Sequence, residues 1–369
     1  MPPLKGIRVL DFSTLLPGPL ATLLLAEAGA EVIKIERPGA GDEMRSYEPK
    51  FGSDSVNFAL LNRGKRSIAV DLKARDAVAR LEPLIRESDV IVEQFRPGVM
   101  DRLGLGYEAI YALNPRIVYC SITGYGQTGP RAQTAAHDLN YIAETGLLAL
   151  AAGPDGAPVI PPALVADIGG GAYPAVMNIL LALRVRDANG RGCKLDVAMV
   201  DNIFAFMYWA VGDGLAADRW PQPGKARVTG GSPRYQIYRT RDDRFVAAAP
   251  LEAKFWQNFC DAIALPAQAR DDGRDPEATR AAIAERIRAR TAEEWRAVFA
   301  GKDVCCSIVT ALEDALADPH VVARQLFGRR IAAEGKTIPA LPVPIAEILR
   351  SDNDNTGYPL LGEANALLD

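Results

Sequence analysis

Histidine is scarce in this chain, whose 369 residues include only two, His137 and His320. A metal site built from several imidazoles is therefore excluded, and a lone histidine beside a carboxylate remains as an acid–base candidate. His320 follows a proline at the start of a predicted helix, where we expect a structural role. His137 begins the segment HDLNY, with Tyr141 one turn further on the same helical face. Spacing alone favours a cap or surface position for His137 over catalysis.

Cysteine and long apolar runs are also sparse. The five cysteines form an odd set without CxxC spacing, which argues against a disulfide framework and against a zinc site. The N-terminal segment lacks the basic, apolar and small-residue regions of a signal peptide, so we expect a cytoplasmic protein. The longest weakly polar stretch, 168–185, contains glycine, proline and asparagine. It predicts a helix buried in a core and no contact with a membrane.

Neither sign of charge is in large excess, because 42 Lys and Arg stand against 46 Asp and Glu, a formal net charge of −4. This balance argues against a nucleic-acid partner and leaves room for a local basic pocket. The P-loop and the G-x-S-x-G nucleophile motif are absent. A G-x-G-x-x-G pattern at 124–129 follows a predicted strand but leads into Pro130 and a polar loop. We interpret it as a loop that packs against a ligand.

Strand and helix patterns alternate through the first third of the chain. Apolar runs separated by helical segments predict an α/β fold with a parallel sheet that is covered on both faces. The predicted strands are 7–11, 31–36, 67–72, 89–95 and 117–123, and the helices between them are 17–30 and 73–87. Helical patterns at 137–150 and 168–185 then precede a returning strand in the segment KLDVAM.

The composition changes after residue 200, which ends the predicted large domain, 1–200. A segment rich in Gly, Pro and Trp predicts a linker over 201–225. A hairpin pattern followed by helices predicts a smaller α+β domain over 226–322.

Asp167 lies in the segment ALVADIGGGAYPAVM, directly before three glycines and an apolar helix. Glycines at such a position let a ligand approach the backbone, and N–H groups at a helix start can face an anion. Asp167 is equally suited to cap the helix that follows, and the two roles are compatible.

Ordered segments with a family signature cover nearly the whole chain. They are LKGIRVLDFSTLLPGPLATLLLAEAGAEVIKIERPGAGD, NRGKRSIAVDLK, FRPGVMDRLGLGYEAIYALNPRIVYCSITGYGQTGP, AHDLNYIAETGLL and VADIGGG. Together they resemble the superfamily of class III CoA-transferases and α-methylacyl-CoA racemases.

Three features resemble the racemase branch of that superfamily. AHDLNY is similar to the racemase motif with the catalytic histidine, whereas transferases typically have an aromatic residue at the position of His137. VAAAPLEAKFW is similar to the racemase segment with an assisting glutamate, here Glu252, and lacks the glycine run of transferases. DVCCSIV resembles the racemase form more than the CGP form of transferases. One departure is Ala136, where the racemase motif usually has glycine.

The resemblance implies a Rossmann-like large domain completed by 325–369, a smaller domain, and two chains interlocked in a homodimer. Each active site in this superfamily lies between the large domain of one subunit and the small domain of the other. The implied substrate is an acyl-CoA. CoA enters only as part of that substrate, and no metal or redox cofactor is expected.

Inversion beside a thioester carbonyl needs two acid–base groups, one on each face of the α-carbon. We expect His137 and Asp167 to form this pair, with Glu252 hydrogen-bonded to His137 and Tyr141 fixing the geometry of the pocket. The alternative is CoA transfer, in which the Asp167 carboxylate attacks the thioester and forms a mixed anhydride, then an aspartyl-CoA thioester. A non-enzymatic acyl-CoA-binding protein would leave the acid–base pair idle.

An enolate and the CoA phosphates both need positive partners. Backbone N–H groups near Asp167, at Gly169 and Gly170, are expected to stabilise the enolate oxygen. By resemblance Arg37 and Arg96 line the CoA site. The segment NRGKRS adds further candidate CoA contacts, although a solvated basic loop explains it equally well. These candidates are Arg63, Lys65 and Arg66.

Overall fold

A computed structural model of the chain describes residues 2–153, 155–351 and 357–368. Two compact units are formed. The first comprises Met1–Thr145, Pro161–Phe206 and Arg324–Asp369, and the second comprises Gly146–Ile160 and Met207–Ala323. Much of the predicted linker is helical, since the helix Tyr208–Ala217 lies within it.

Six parallel strands form the sheet of the first unit. In spatial order they are Arg66–Ala69, Glu31–Glu36, Arg8–Asp11, Val90–Glu93, Val118–Thr123 and Cys193–Ala198. Numbered along the chain, the strands are therefore arranged 3-2-1-4-5-6, which is the doubly wound Rossmann order. The predicted α/β fold with a parallel sheet is confirmed.

Helices lie between the strands of the first unit, and two of them, Pro17–Glu27 and Ala77–Arg86, correspond to the predicted helices 17–30 and 73–87. The helices of this unit are Pro17–Glu27, Val56–Asn62, Ala77–Arg86, Val99–Arg102, Tyr107–Leu113, Asp138–Glu144, Tyr173–Asn189 and Met199–Ile203. Leu10, Ile33 and Ile91, one from each of three adjacent strands, pack in one core cluster with Leu81 and Ile85 of a helix. All five side chains are fully buried, so this layer supplies much of the hydrophobic stabilisation of the unit.

The C-terminal segment packs on the beginning of the chain. Arg329 pairs with Glu27 at 2.6 Å, and the hydroxyl of Tyr358 donates to the carbonyl of Phe51 at 2.6 Å. The segment also adds the antiparallel pair Arg330–Ala333 and Lys336–Pro339, while Lys50–Phe51 pairs with Asp54–Ser55.

One helical stretch of the first unit, Ala166–Asn189, is long and apolar enough to cross a membrane by length and composition, a property that core helices of soluble proteins share. One face is buried, through residues such as Ile179 and Leu183. The opposite face exposes apolar side chains, so the predicted burial in a core holds for one face only. These exposed residues are Tyr173, Met177, Leu180, Leu181 and Val185.

The second unit combines a three-stranded antiparallel sheet with helices, as predicted for the smaller α+β domain. The strands are, in spatial order, Cys306–Ile308, Phe245–Ala248 and Gln236–Arg239. The helices are Tyr208–Ala217, Ala253–Ala262, Pro276–Arg288, Ala292–Phe299, Leu312–Leu316 and Pro319–Ala323. The charged stretch after residue 276 breaks into two helices because Thr291 caps the second one, with its hydroxyl accepting from the N–H of Glu294 at 3.2 Å.

Candidate active site

A cavity of about 290 Å³ opens at the carboxyl edge of the parallel sheet. Its walls include 15–17 and 94–97, which follow the first and fourth strands, and 122–125, which spans the end of the fifth strand. The first and fourth strands are neighbours where the strand order reverses, and doubly wound sheets bind ligands in the crevice at this point. The topology of the sheet therefore selects this cavity as the candidate site.

His137 lines the cavity and directly precedes the helix Asp138–Glu144. Its N–H donates to the side-chain oxygen of Asn140 at 3.0 Å, and its carbonyl accepts from the N–H of Asn140 at 2.8 Å. The backbone of His137 is thereby fixed at the helix start. The helix ends at Glu144, earlier than predicted, and Gly146 follows with a left-handed φ of 85°.

Asp167 lines the same cavity from a π-helical turn, Ala166–Ala172. Burial raises the pKa of the Asp167 carboxyl to about 6, and the negative charge of Asp138 adds to this rise while His137 opposes it. An imidazole and a carboxyl thus meet at one cavity, as expected from the sequence. At neutral pH a carboxyl with this pKa can both accept and donate a proton.

Tyr141 also lines the cavity, and its hydroxyl donates to the carbonyl of Ala136 at 2.9 Å. Its ring packs where Gly124 has no side chain, because a Cβ at that glycine would lie 2.4 Å from the ring. Burial, followed by the negative charge of Asp167, raises the pKa of Tyr141 to about 12, so the phenol stays protonated. Tyr141 therefore anchors the residue before His137, and Gly124, the first glycine of the pattern at 124–129, makes space for its ring.

The first two glycines after Asp167 pack closely against other parts of the first unit. A Cβ at Gly169 would lie 2.6 Å from the Phe206 ring, and one at Gly170 would lie 2.5 Å from the carbonyl oxygen of Met199. These close approaches explain why both positions need glycine. Neither glycine lines the cavity, and the expected contact of their N–H groups with the enolate oxygen stays a prediction.

The backbone N–H groups at the start of the turn that carries Asp167 already donate hydrogen bonds within the protein. The N–H groups of Ala166 and Asp167 donate to one carboxylate oxygen of Asp138, at 2.7 and 2.9 Å. Neither is therefore free for an enolate oxygen. Sequence reasoning missed this role of Asp138; the signal was the carboxylate beside His137 at a helix start.

Two of the predicted CoA-binding cations lie in the interior. Lys65 is 2% exposed and its ammonium contacts Asp11 at 3.1 Å, Thr22 at 2.8 Å and Asn62 at 2.8 Å. Arg63 is 4% exposed and pairs with Glu27 at 2.7 Å. Both positive charges serve internal partners, which contradicts the prediction that they contact CoA phosphates.

The other predicted cations are exposed and differ in position. Arg96 lines the cavity, and Arg37 directly follows the second strand at the same carboxyl edge. Arg66 instead begins its strand at the amino edge, where it pairs with Glu31 at 2.9 Å. The sheet therefore brings Arg37 and Arg96 to the edge that holds the cavity and places Arg66 at the opposite edge.

A buried ion pair, Lys34 with Asp42, supports one wall of the cavity. Leu15 has a left-handed φ of 62°, unusual for a residue with a branched side chain, and its N–H donates to the Asp42 carboxylate at 3.2 Å. The ammonium of Lys34 contacts Asp42 at 2.9 Å and the carbonyl of Ser13 at 2.7 Å. The strained turn is thus held by interactions that the sequence pattern does not show.

Glu252 lies in the second unit, exposed, and directly precedes the helix Ala253–Ala262. Its predicted hydrogen bond to His137 stays a prediction. Among the described residues no cluster of three or more His, Cys, Asp or Glu side chains is arranged to hold a metal ion.

The sequence model of a protein family, CoA-transferase family III, matches residues 4–365. An acetyl-CoA:oxalate CoA-transferase from Acetobacter aceti is 33% identical, over 99% of this chain and 95% of its own length. An α-methylacyl-CoA racemase from Mus musculus is also 33% identical, over 93% and 86%. A crystal structure of a CAIB/BAIF family protein from Brucella suis gives a TM-score of 0.83 at 29% identity, over 100% of this chain and 99% of that one. The chain belongs to CoA-transferase family III, as its sequence segments predict.

Proposed function

We propose that this protein is an α-methylacyl-CoA racemase, which interconverts the (R) and (S) forms of 2-methylacyl-CoA thioesters. The observation that carries the proposal is the presence of His137 and Asp167 on one cavity at the switch point of the sheet. An imidazole and a carboxyl are the two acid–base groups that inversion of an α-carbon needs.

In the proposed reaction, neutral His137 removes the α-proton of one enantiomer, and the electron pair of the C–H bond moves to the thioester oxygen as an enolate. Protonated Asp167 then donates a proton to the opposite face of the α-carbon. The reverse direction exchanges the two roles. With a pKa of about 6, the Asp167 carboxyl is present in both protonation states near neutral pH, so it can act as the acid in one direction and the base in the other.

The remaining proposed roles concern binding and orientation. Arg37 and Arg96 bind the phosphates of CoA, Tyr141 holds the backbone before His137, and Glu252 sets the tautomer of His137 through a hydrogen bond. The chemistry needs no metal or redox cofactor, because it moves only a proton.

CoA transfer is the second candidate, and the similarity to an acetyl-CoA:oxalate CoA-transferase over 99% of the chain favours it. In that reaction the Asp167 carboxylate attacks the thioester carbonyl, the CoA thiolate leaves, and a mixed anhydride forms. The CoA thiolate then attacks the Asp167 carbonyl of the anhydride, which releases the carboxylic acid and leaves an aspartyl-CoA thioester. Asp167 is needed in both reactions, whereas His137 as a proton carrier is needed only in the first.

Isotope exchange separates the two candidates. We expect the purified protein to incorporate deuterium at the α-carbon of a 2-methylacyl-CoA in D₂O, as seen by mass spectrometry, without any added carboxylic acid. The parallel reaction contains a free carboxylate acceptor. Absence of exchange, together with acceptor-dependent formation of a new acyl-CoA, would contradict the racemase and support the transferase.

We also propose that the protein is a homodimer, supported by the exposed apolar face of the helix Tyr173–Asn189. Light scattering after gel filtration is expected to give about twice the chain mass of 39.7 kDa. Replacing Leu181, 61% exposed, with lysine is expected to shift the protein toward monomer. Leu360→Lys, at a residue 57% exposed elsewhere in the first unit, is the matched control. A monomeric parent protein at micromolar concentration would rule the dimer out.

A further inference from the structure

Asp138 is a buried carboxylate directly beside the proposed catalytic pair, and the proposed reaction gives it no role. It is 5% exposed and occupies the first position of the helix Asp138–Glu144. One of its carboxylate oxygens accepts two hydrogen bonds, from the N–H groups of Ala166 and Asp167 at 2.7 and 2.9 Å. The two residues that donate belong to the turn that carries the Asp167 side chain.

We propose that Asp138 is a positioning residue for Asp167: it fixes the peptide that carries the Asp167 carboxyl and holds a second negative charge beside that carboxyl. The inference rests on the proposed racemase function, in which the same Asp167 group acts as a base for one enantiomer and as an acid for the other.

The hydrogen bonds explain the first part of this role. A charged acceptor binds backbone N–H groups more strongly than a neutral one does, so the turn around Asp167 has little freedom to rotate. A catalytic group has to be held close to its productive geometry for proton transfer to be efficient. Asp138 thereby connects the helix start beside His137 to the turn with Asp167 and fixes the spacing of the pair.

The charge explains the second part. Two neighbouring carboxyls resist simultaneous ionisation, and the negative charge of Asp138 adds to the effect of burial in raising the pKa of Asp167. A carboxyl with a normal pKa near 3.8 would be almost fully ionised at neutral pH and a poor proton donor. The second charge thus keeps Asp167 able to work in both directions.

The surroundings of Asp167 make Asp138 the main source of negative charge. His137, Asp138 and Tyr141 face it from the neighbouring helix and its start. The other elements packed against 166–172 carry charged groups that do not contribute to the pKa shift of Asp167. They are Glu27, Arg184, Arg186, Asp187, Lys194, Asp196 and Asp201.

The test uses Asp138→Asn, which keeps an oxygen that can accept both N–H groups and removes the charge. Infrared titration of the full-length protein follows the protonated carboxyl band that Asp167→Asn abolishes. We expect its midpoint to fall by about one pH unit in Asp138→Asn. For the enantiomer that Asp167 deprotonates, the acid limb of the rate of α-proton exchange is expected to move to lower pH by the same amount. Glu144→Gln removes a carboxylate from the same helix and is the matched control, with an unchanged midpoint.

Thermal melting confirms that each variant is folded, and Asp138→Ser, which has a neutral oxygen acceptor, replaces Asp138→Asn if that variant fails to fold. An unchanged midpoint of the Asp167 band in the folded variant would overturn the proposal. A lowered midpoint in a protein that catalyses no α-proton exchange would support the role of Asp138 and refute the racemase. The infrared titration needs no substrate, so failure of the proposed role of Asp138 can be distinguished from failure of the proposed racemase function.

Discussion

Replacing His137 with glutamine is expected to lower the rate of α-proton exchange by about 10² to 10⁴-fold for the enantiomer that His137 deprotonates, the usual contribution of a positioned general acid–base group. Glutamine retains side-chain polarity and similar reach but cannot carry a proton at neutral pH. The measurement is the initial rate of deuterium incorporation into each enantiomer of a 2-methylacyl-CoA.

The chain supplies its own control for this experiment. His320, the only other histidine, is exposed in the second unit, and His320→Gln is expected to leave the exchange rate unchanged. Asp167→Asn is expected to be as damaging as His137→Gln. The double variant is expected to lose little more, because the two groups act as one unit. Exchange of both enantiomers at the parent rate in His137→Gln would refute the assignment of His137.

Lys65→Met is expected to lower the free energy of unfolding by about 3–5 kcal/mol, because it leaves a buried carboxylate without its partner. Burial would raise the pKa of Asp11, but the charges of Lys65 and Lys34, with hydrogen bonds from two hydroxyls, hold it at about 2. Methionine fills much of the lysine volume, so loss of charge dominates loss of packing. Urea unfolding at pH 7 measures the difference.

The next residue in the chain is the matched control. Arg66 pairs with Glu31 at 2.9 Å, but both side chains are well exposed, so Arg66→Met is expected to change stability by no more than about 1 kcal/mol. The loss in free energy of unfolding caused by Lys65→Met is expected to become smaller at acid pH, where protonation removes the unpaired charge of Asp11. Equal effects of the two substitutions would contradict a buried ionic role for Lys65.

The parts of the fold that follow from local pattern were predictable. The strand Glu31–Glu36 agrees with the predicted range 31–36, because a short apolar run directly after a helix is typical of a strand in a sheet covered on both faces. The doubly wound order could not be read from pattern, since it depends on which strands pair. Once that order is known, the position of the cavity follows from it.

The sequence predicts those residues of the candidate site that lie in segments resembling a known family. It does not predict which charged residues are buried, because long-range packing determines their burial. His137, Asp167 and Tyr141 meet at one cavity as expected. Lys65 and Arg63 look like a solvated basic loop because their partners, Asp11 and Glu27, lie 54 and 36 residues earlier in the chain. A charge is exposed or buried according to those distant partners, which local composition cannot specify.

The packing of the C-terminal segment on the beginning of the chain also has a consequence for synthesis. Glu27 and Phe51 leave the ribosome long before Arg329 and Tyr358, their partners, have been made. All residues of the second unit precede Arg324, so that unit is complete while the first still lacks its last segment. A chain that terminates just before Arg324 therefore lacks part of the unit that is begun first and contains every residue of the one that is begun later.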